Sequence, residues 1–239
     1  MIFIDNEGIN DPRINLALEE YALRNFNPDN DYLLFYINEP SIIIGRNQNT
    51  LEEINFDYVE EKGLHVVRRV SGGGAVYHDF GNLNFSFITN HDVKSLNNFG
   101  KFTEPVTRIL NKMGVPAELK GRNDVLVHDK KISGNAQFST GKRMLHHGTL
   151  LLDSDLDEVS KALNVKMTKI QSKGHKSSRS RVANISEFLE EKLSIEDFRS
   201  LILKGLFEEK DDFETYHLTK VEWAAVHKLR DEKYGTWEW

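Results

Sequence analysis

Arg68-Arg69-Val70-Ser71-Gly72-Gly73-Gly74-Ala75-Val76-Tyr77-His78-Asp79 joins two stretches that read as β-strands. Leu64 to Arg69 precedes it, and after it Leu83, Phe85 and Phe87 alternate with Asn82, Asn84 and Ser86, the period of two that a pleated strand imposes. Three consecutive glycines let a backbone come close to a ligand and turn its N–H groups toward it, which suits phosphate or carboxylate oxygens. Arg68 and Arg69 would add charge for the same anion. A glycine-rich hairpin turn with two solvated arginines is the plainer alternative. The familiar nucleotide loops do not fit: Tyr77 stands where a GxGxxG run needs its third glycine, and the chain has no GK[ST] tripeptide.

Outward from this turn the chain alternates between helix and strand signals. Asp11 followed by Pro12 reads as an N-cap, and Ile14, Leu18, Tyr21 and Ala22 recur at helical spacing to about Arg24. Tyr32 to Ile37 and Ser41 to Gly45 read as strands, and a short helix from Phe56 to Lys62 ends at Gly63. Phe102 to Met113 predicts a helix. Val125 to Val127, Lys131 to Phe138 and Met144 to Leu152 predict strands joined by tight turns, and Leu156, Val159 and Leu163 mark another helix. The remainder is expected to be helical, with capping boxes at Ser194/Asp197 and Thr219/Glu222. The fold class is therefore α/β (α+β): a mixed, largely antiparallel sheet flanked by helices, in one domain over residues 1–239.

Composition narrows the function. The 239 residues carry a formal charge of −6, which argues against a general nucleic-acid binder. No apolar run approaches the roughly 18 residues of a membrane span, and no secretory signal is visible, so a cytoplasmic protein without membrane contact is expected. There is no cysteine, hence no thiolate metal site and no thiol nucleophile. Against the acidic background, Thr168 to Arg181 holds Lys169, Lys173, Lys176, Arg179 and Arg181 and no acidic residue. That composition predicts a loop with little to bury.

Two further clusters could bear chemistry. In Gly121-Arg122-Asn123-Asp124, Asp124 could hold a magnesium ion or cap a turn. Lys131 opens a strand beside Ser133, Gly134 and Ala136, small neighbours that leave room for a ligand, although a lone lysine is commonly a solvated charge. His146 and His147 are adjacent on a strand, point to opposite faces and cannot chelate one metal side by side. One is expected to face a pocket.

In order and spacing these clusters resemble the lipoate–protein ligase family. The match is carried by Arg68-Arg69-x-Ser71-Gly72-Gly73-Gly74-Ala75-Val76-x-His78-Asp79-x-Gly81-Asn82, Gly121-Arg122-Asn123-Asp124, Lys131-x-Ser133-Gly134-x-Ala136 and His146-His147-Gly148-Thr149-Leu150-Leu151. Asn15-Leu16-Ala17-x-Glu19-Glu20, Ile44-Gly45-Arg46-x-Gln48-Asn49, Lys173-Gly174, Arg179-Ser180-Arg181-Val182-x-Asn184 and Trp237-Glu238-Trp239 extend it over the whole chain.

The resemblance implies a biotin/lipoyl protein ligase-like fold, related to class II aminoacyl-tRNA synthetases. It also implies a two-step reaction with ATP and Mg2+. Lipoate is activated to lipoyl-AMP, then passed to a lysine of a lipoyl domain, as in 2-oxoacid dehydrogenase E2 subunits, or of the glycine-cleavage H protein. It assigns Lys131 to both the lipoyl carbonyl oxygen and the phosphate. Arg69, Gly74, Ala75, Val76, Tyr77, Asn123, Asp124, Lys173 and Arg181 go to ATP or adenylate, and Leu16, Arg68, Ser71, Gly72, His147 and Lys131 to lipoate. Asp124 is the magnesium candidate. By the same resemblance, the loop from Lys169 to Arg181 would close over the adenylate.

The missing cysteine sets the chain apart from relatives that pass through an enzyme thioester. The two-domain ligases continue past the Trp-Glu-Trp block into a small C-terminal accessory domain; the expectation is that this chain is a truncated piece of such a protein, that a separate polypeptide supplies the domain, or that this member lacks it. Three alternatives follow: transfer from preformed lipoyl-AMP alone, a non-catalytic lipoate or nucleotide sensor, and a biotin-specific ligase.

Overall fold

Leu83, Phe85 and Phe87 lie on β6 (Asn82–Asn90), an inner strand of an eight-stranded sheet in the computed structural model, which describes residues 1–163, 181–210 and 212–239. The other strands of this sheet are β1 (Ile2–Asp5), β2 (Tyr32–Tyr36), β7 (Ala117–Lys120), β8 (Asp124–Val127), β9 (Lys130–Ser139), β10 (Arg143–Leu151) and β11 (Thr215–His217). Their order is β11-β1-β2-β6-β10-β9-β8-β7. Only the β11–β1 and β1–β2 pairings are parallel; every other neighbour in this sheet runs antiparallel, in agreement with the expected mixed, largely antiparallel class.

Both faces of β6 are buried, so its alternation separates two interiors rather than core from water. The phenylalanine face packs against α4 (Phe99–Lys112) and α6 (Ile195–Leu206), through Phe102, Val106, Ile109, Phe198 and Ile202. The opposite face lies toward α1 (Pro12–Asn25) and α7 (Lys220–Leu229), where Leu18, Leu23, Leu34, Leu145 and Val226 form a second core. Polar Asn82, Asn84 and Ser86 point to this side and are all within 2% of complete burial. Groups so buried must find partners inside the protein, and a functional interior is where such partners are arranged.

A second sheet of three strands sits beside the first, in the order β4 (His65–Arg68), β3 (Ser41–Ile44), β5 (Val76–His78). It carries the glycine-rich turn between β4 and β5. Its outer face is covered by α3 (Phe56–Lys62) and α5 (Leu156–Ala162), and a one-turn helix α2 (Thr50–Glu53) precedes α3; Ile42, Ile44, Val59, Tyr77 and Ala162 form the third core.

The local signals act as expected at most helix ends. Asp11 accepts from the Arg13 N–H, Gly63 closes α3 in the left-handed conformation at φ +62°, and Thr219 with Glu222 forms a complete capping box. At Ser194 the hydroxyl accepts the Asp197 N–H, while the Asp197 carboxylate receives the Ser194 hydroxyl, aspartate being one methylene shorter than the glutamate of a full box. The C-terminal remainder is not wholly helical: Thr215–His217 pairs in parallel with β1.

Candidate functional site

Between the polar face of the large sheet, the start of α1 and the glycine-rich turn lies a cavity of about 140 Å³. It gathers Leu16, Arg69, Gly74, Ala75, Val76, Asn123, Lys131 and His147, residues drawn from five separate parts of the sequence. The sheet supplies the floor: Tyr36 pairs with Asn84 and Asn84 with Thr149, placing three neighbouring strands in one row beneath the opening.

Arg69 builds the roof. It is 7% exposed, and its guanidinium donates to the carbonyls of Ile43 (3.0 Å), Gly72 (2.8 Å) and Gly74 (2.8 Å) and to Ser71 Oγ (3.1 Å). Burial pushes its pKa down to about 10, which still leaves it charged at neutral pH. The expected anion ligand is thus a framework cation that turns the carbonyls of the loop inward upon itself. Gly45 takes part in this fit: a Cβ there would collide with the Gly73 carbonyl oxygen.

Lys131 is held differently. Its Nζ has an ion pair with Asp124 Oδ1 at 2.8 Å, and its side chain is 36% exposed. Gly134 gives it room, since a Cβ at that position would lie 2.8 Å from Lys131 Nζ. Its backbone is held as well: the Lys131 carbonyl accepts the Ala183 N–H at 3.0 Å, and Val182 bridges to the same residue. Asn123, next to the Asp124 carboxylate, exchanges three hydrogen bonds with Asn135 across the strands.

A buried polar chain runs along the inner wall. Arg69 Nε donates to Ser71 Oγ, Ser71 meets His147 Nε2 at 2.6 Å, and His147 Nδ1 meets the Glu19 carboxylate at 2.9 and 3.0 Å. Glu19 is 1% exposed and also receives the Tyr36 and Ser86 hydroxyls. A carboxylate so buried is tolerable because it is paired and fully hydrogen-bonded. Glu19 lay within a quoted match but was not picked out as a site residue; its partner is 128 positions away, and only the fold brings them together.

The two adjacent histidines do part company. His147 faces the cavity, whereas His146 is enclosed by Phe85, Phe87, Phe99 and Phe102 on the other face. Burial drives His146 down to about 3, so it stays neutral and hydrogen-bonds to Asn135 and Gln137.

Other expected residues fall elsewhere. Arg68 leaves this cavity: its guanidinium donates to the carbonyls of Trp239 (2.7 Å), Gly45 (2.9 Å) and Gln48 (2.8 Å), and to Thr50 Oγ1. The Trp239 indole N–H returns a bond to the Arg68 carbonyl at 2.7 Å. Arg68 ends β4 and Arg69 follows it, and the two side chains line different cavities. Arg68 instead lines a second, outer cavity of about 340 Å³ with Trp237 and Trp239. Ser71 stands behind His147 rather than on the cavity wall, and Gly72 is engaged through its carbonyl by Arg69. The Tyr77 side chain packs into the third core, leaving its backbone toward the loop. Arg181 is exposed, next to the Val182 bridge, and Lys173 lies outside the described residues, as does nearly all of the basic segment. No group of three potential metal-binding His, Asp or Glu side chains occurs among the described residues.

Residues 11–207 match the model of the lipoyl protein ligase A/B catalytic domain. The chain is 59% identical over 241 residues to the lipoate–protein ligase LplJ of Bacillus subtilis, covering all of this chain and 73% of that one. A lipoate protein ligase from Thermoplasma acidophilum with bound lipoic acid superposes with a TM-score of 0.83 at 33% identity, over 96% of this chain and 94% of that one. The bipartite ligase of the T. acidophilum lipoylation system, described with its E2 lipoyl domain, gives 0.86 at 34% identity over 100% and 94% of the two chains. A lipoate–protein ligase A bound with ATP gives 0.81 at 34% identity, over 96% and 93%.

Proposed function

The chain belongs to the lipoyl protein ligase A/B family, and on that premise we propose that it activates lipoate with ATP to lipoyl-AMP and transfers the lipoyl group to a lysine. The observation that carries the reading is Lys131: a partly exposed cation, paired with Asp124, that lines the same cavity as the glycine-rich turn.

In the first step a lipoate carboxylate oxygen attacks the α-phosphorus of ATP, and the bond to pyrophosphate breaks. Two anions must meet, so fixed positive charge and N–H donors account for most of the catalysis. Lys131 leaves Asp124 to lie between the carboxyl oxygen and the phosphate. The backbone at Gly74, Ala75, Val76 and Tyr77 receives the nucleotide, and Arg69 keeps that loop in shape. Asn123, Lys173 and Arg181 belong to the same nucleotide side. Asp124, when not paired with Lys131, is the carboxylate that would hold a Mg2+ ion, which would supply positive charge to offset that of the phosphates.

In the second step an acceptor lysine amine attacks the lipoyl carbonyl carbon, the bond to AMP breaks, and the amine loses a proton. Lys131 again faces the oxygen on which charge builds. Leu16 and His147 flank the acyl chain. The acceptor is a lipoyl domain, in line with the E2 lipoyl domain paired with the T. acidophilum ligase. A cytoplasmic setting suits a reaction that consumes ATP, and no helix of the described residues is long and apolar enough to cross a membrane.

The test is to incubate the chain with ATP, Mg2+, lipoate and a lipoyl domain, and to weigh the products. A mass gain equal to one lipoyl group, with pyrophosphate released, is expected. Lipoylation from added lipoyl-AMP without any from ATP and lipoate would reduce the activity to transfer. No modification from either source would refute the reading.

A further inference from the structure

His78 is buried, lines the cavity, and takes no part in the chemistry above. Its ring is held from behind by three asparagines in series. Asn6 Nδ2 donates to Asn15 Oδ1 at 3.1 Å, Asn15 Nδ2 donates to Asn38 Oδ1 at 2.9 Å, and Asn38 Nδ2 meets His78 Nδ1 at 3.0 Å. Asn6 and Asn15 each donate as well to the Ile9 carbonyl, which fixes which end of each amide is oxygen. An amide nitrogen can only donate, so His78 Nδ1 accepts and the ring hydrogen resides on Nε2. Burial, with the nearby Arg69 and His147, holds the His78 pKa down to about 3, so the ring is neutral.

That leaves Nε2–H as a buried donor without a hydrogen-bond partner among the described residues. Six other buried side-chain atoms lack a partner among the described residues, Ser41 Oγ and Asn82 Oδ1 among them, and of the seven residues only His78 lines the cavity. An unmet buried donor is costly, and one whose hydrogen is fixed by a relay of three side chains is prepared for an acceptor that comes from outside the protein. Leu16, Tyr36, Asn84 and His147 line the same cavity as His78.

We propose that His78 Nε2–H is a specificity-determining donor that hydrogen-bonds to a sulfur of the dithiolane ring, favouring lipoate over an unsubstituted fatty acid of the same chain length. The inference rests on the ligase reading above. If the carboxyl group lies at Lys131, the acceptor atoms left on the inner part of lipoate are its two ring sulfurs. Sulfur is a weak acceptor, yet octanoate offers none there and would leave the donor unmet.

The test is a competition in one vessel. The full chain receives ATP, Mg2+, a lipoyl domain and equal amounts of lipoate and octanoate, and the ratio of lipoyl to octanoyl product is read by mass spectrometry. His78→Met keeps the bulk and removes the donor; its product ratio should fall on the order of three- to tenfold, the scale of one net hydrogen bond. His78→Gln, which restores an N–H at similar reach, should recover part of the ratio. Merely structural damage would depress both products together, and an unchanged ratio in His78→Met overturns the inference while leaving the ligase reading intact. If wild type forms neither product, the ligase reading falls and the inference with it. Nitrogen NMR of the His78 ring needs no variant. Nε2–H should be the protonated site and should shift with lipoate but not with octanoate; the same response to both acids overturns the proposal.

Discussion

Arg69 and Lys131 face the same cavity and carry the same charge, but the protein holds them in opposite ways. Arg69 is buried, and four of its five N–H donors go to three carbonyls and a hydroxyl. Lys131 is more than a third exposed, and among the described residues its ion pair is with one carboxylate, that of Asp124. A guanidinium with its fork filled by backbone oxygens fixes a loop, whereas a flexible ammonium with one exchangeable partner can follow a charge that moves during reaction. The difference shows that positive charge near a cavity is of two kinds, one that builds the site and one that works in it. Each kind predicts its own failure when removed.

The largest expected effect on stability is at Arg69. Arg69→Met would leave the Ile43, Gly72 and Gly74 carbonyls without their donor in a buried place, at a cost on the order of 3–5 kcal/mol. Urea unfolding should show it directly. A variant as stable as wild type, but inactive, would make Arg69 a ligand-binding charge after all and erase the contrast.

Acid should weaken the fold through the two buried neutral histidines. His78 and His146 are pushed down to about 3 by burial, from an ordinary value of 6.5. Below that ordinary value the unfolded chain binds more protons than the folded one, so stability falls as pH drops from about 6.5 toward 3. The slope reaches up to about 1.4 kcal/mol per pH unit for each histidine. Urea midpoints at pH 7, 6 and 5 measure this, and His146→Gln should flatten the slope; a slope unaffected by that change would mean His146 is not the neutral buried group described.

Arg68 gives the smallest effect and sharpens the comparison with its neighbour. Arg68→Met should cost about 1–2 kcal/mol, by loosening the turn at Gly45 to Thr50 and the Trp239 contact, and leave the KM for lipoate within about twofold. A large rise in that KM would return Arg68 to the lipoate site.

Much of this was legible from local patterns, and what was not shares a cause. The helix at Pro12, the stop at Gly63 and the alternation at Leu83, Phe85 and Phe87 each depend on a few neighbouring residues. Thr215–His217 and Val76–His78 are three residues long, too short to show a period, and become strands only by pairing with distant β1 and β3. The division between Arg68 and Arg69 was hidden for a similar reason. Side by side both read as anion ligands, and only the direction of the strand and the position of Trp239 set them apart. Glu19 was hidden because its meaning is His147, and the asparagine relay because Asn6, Asn15, Asn38 and His78 come from four elements or their connections.

Lys131 bears the central claim, and transfer from preformed lipoyl-AMP tests it without the complication of ATP binding. The measurement is the single-turnover rate at which Lys131→Ala passes the lipoyl group to a lipoyl domain, taken with its melting temperature. The account predicts native melting and a rate lower by about 10²–10³, the effect of removing one positioned charge or donor from a developing oxyanion. Transfer near the wild-type rate by a well-folded Lys131→Ala would contradict it.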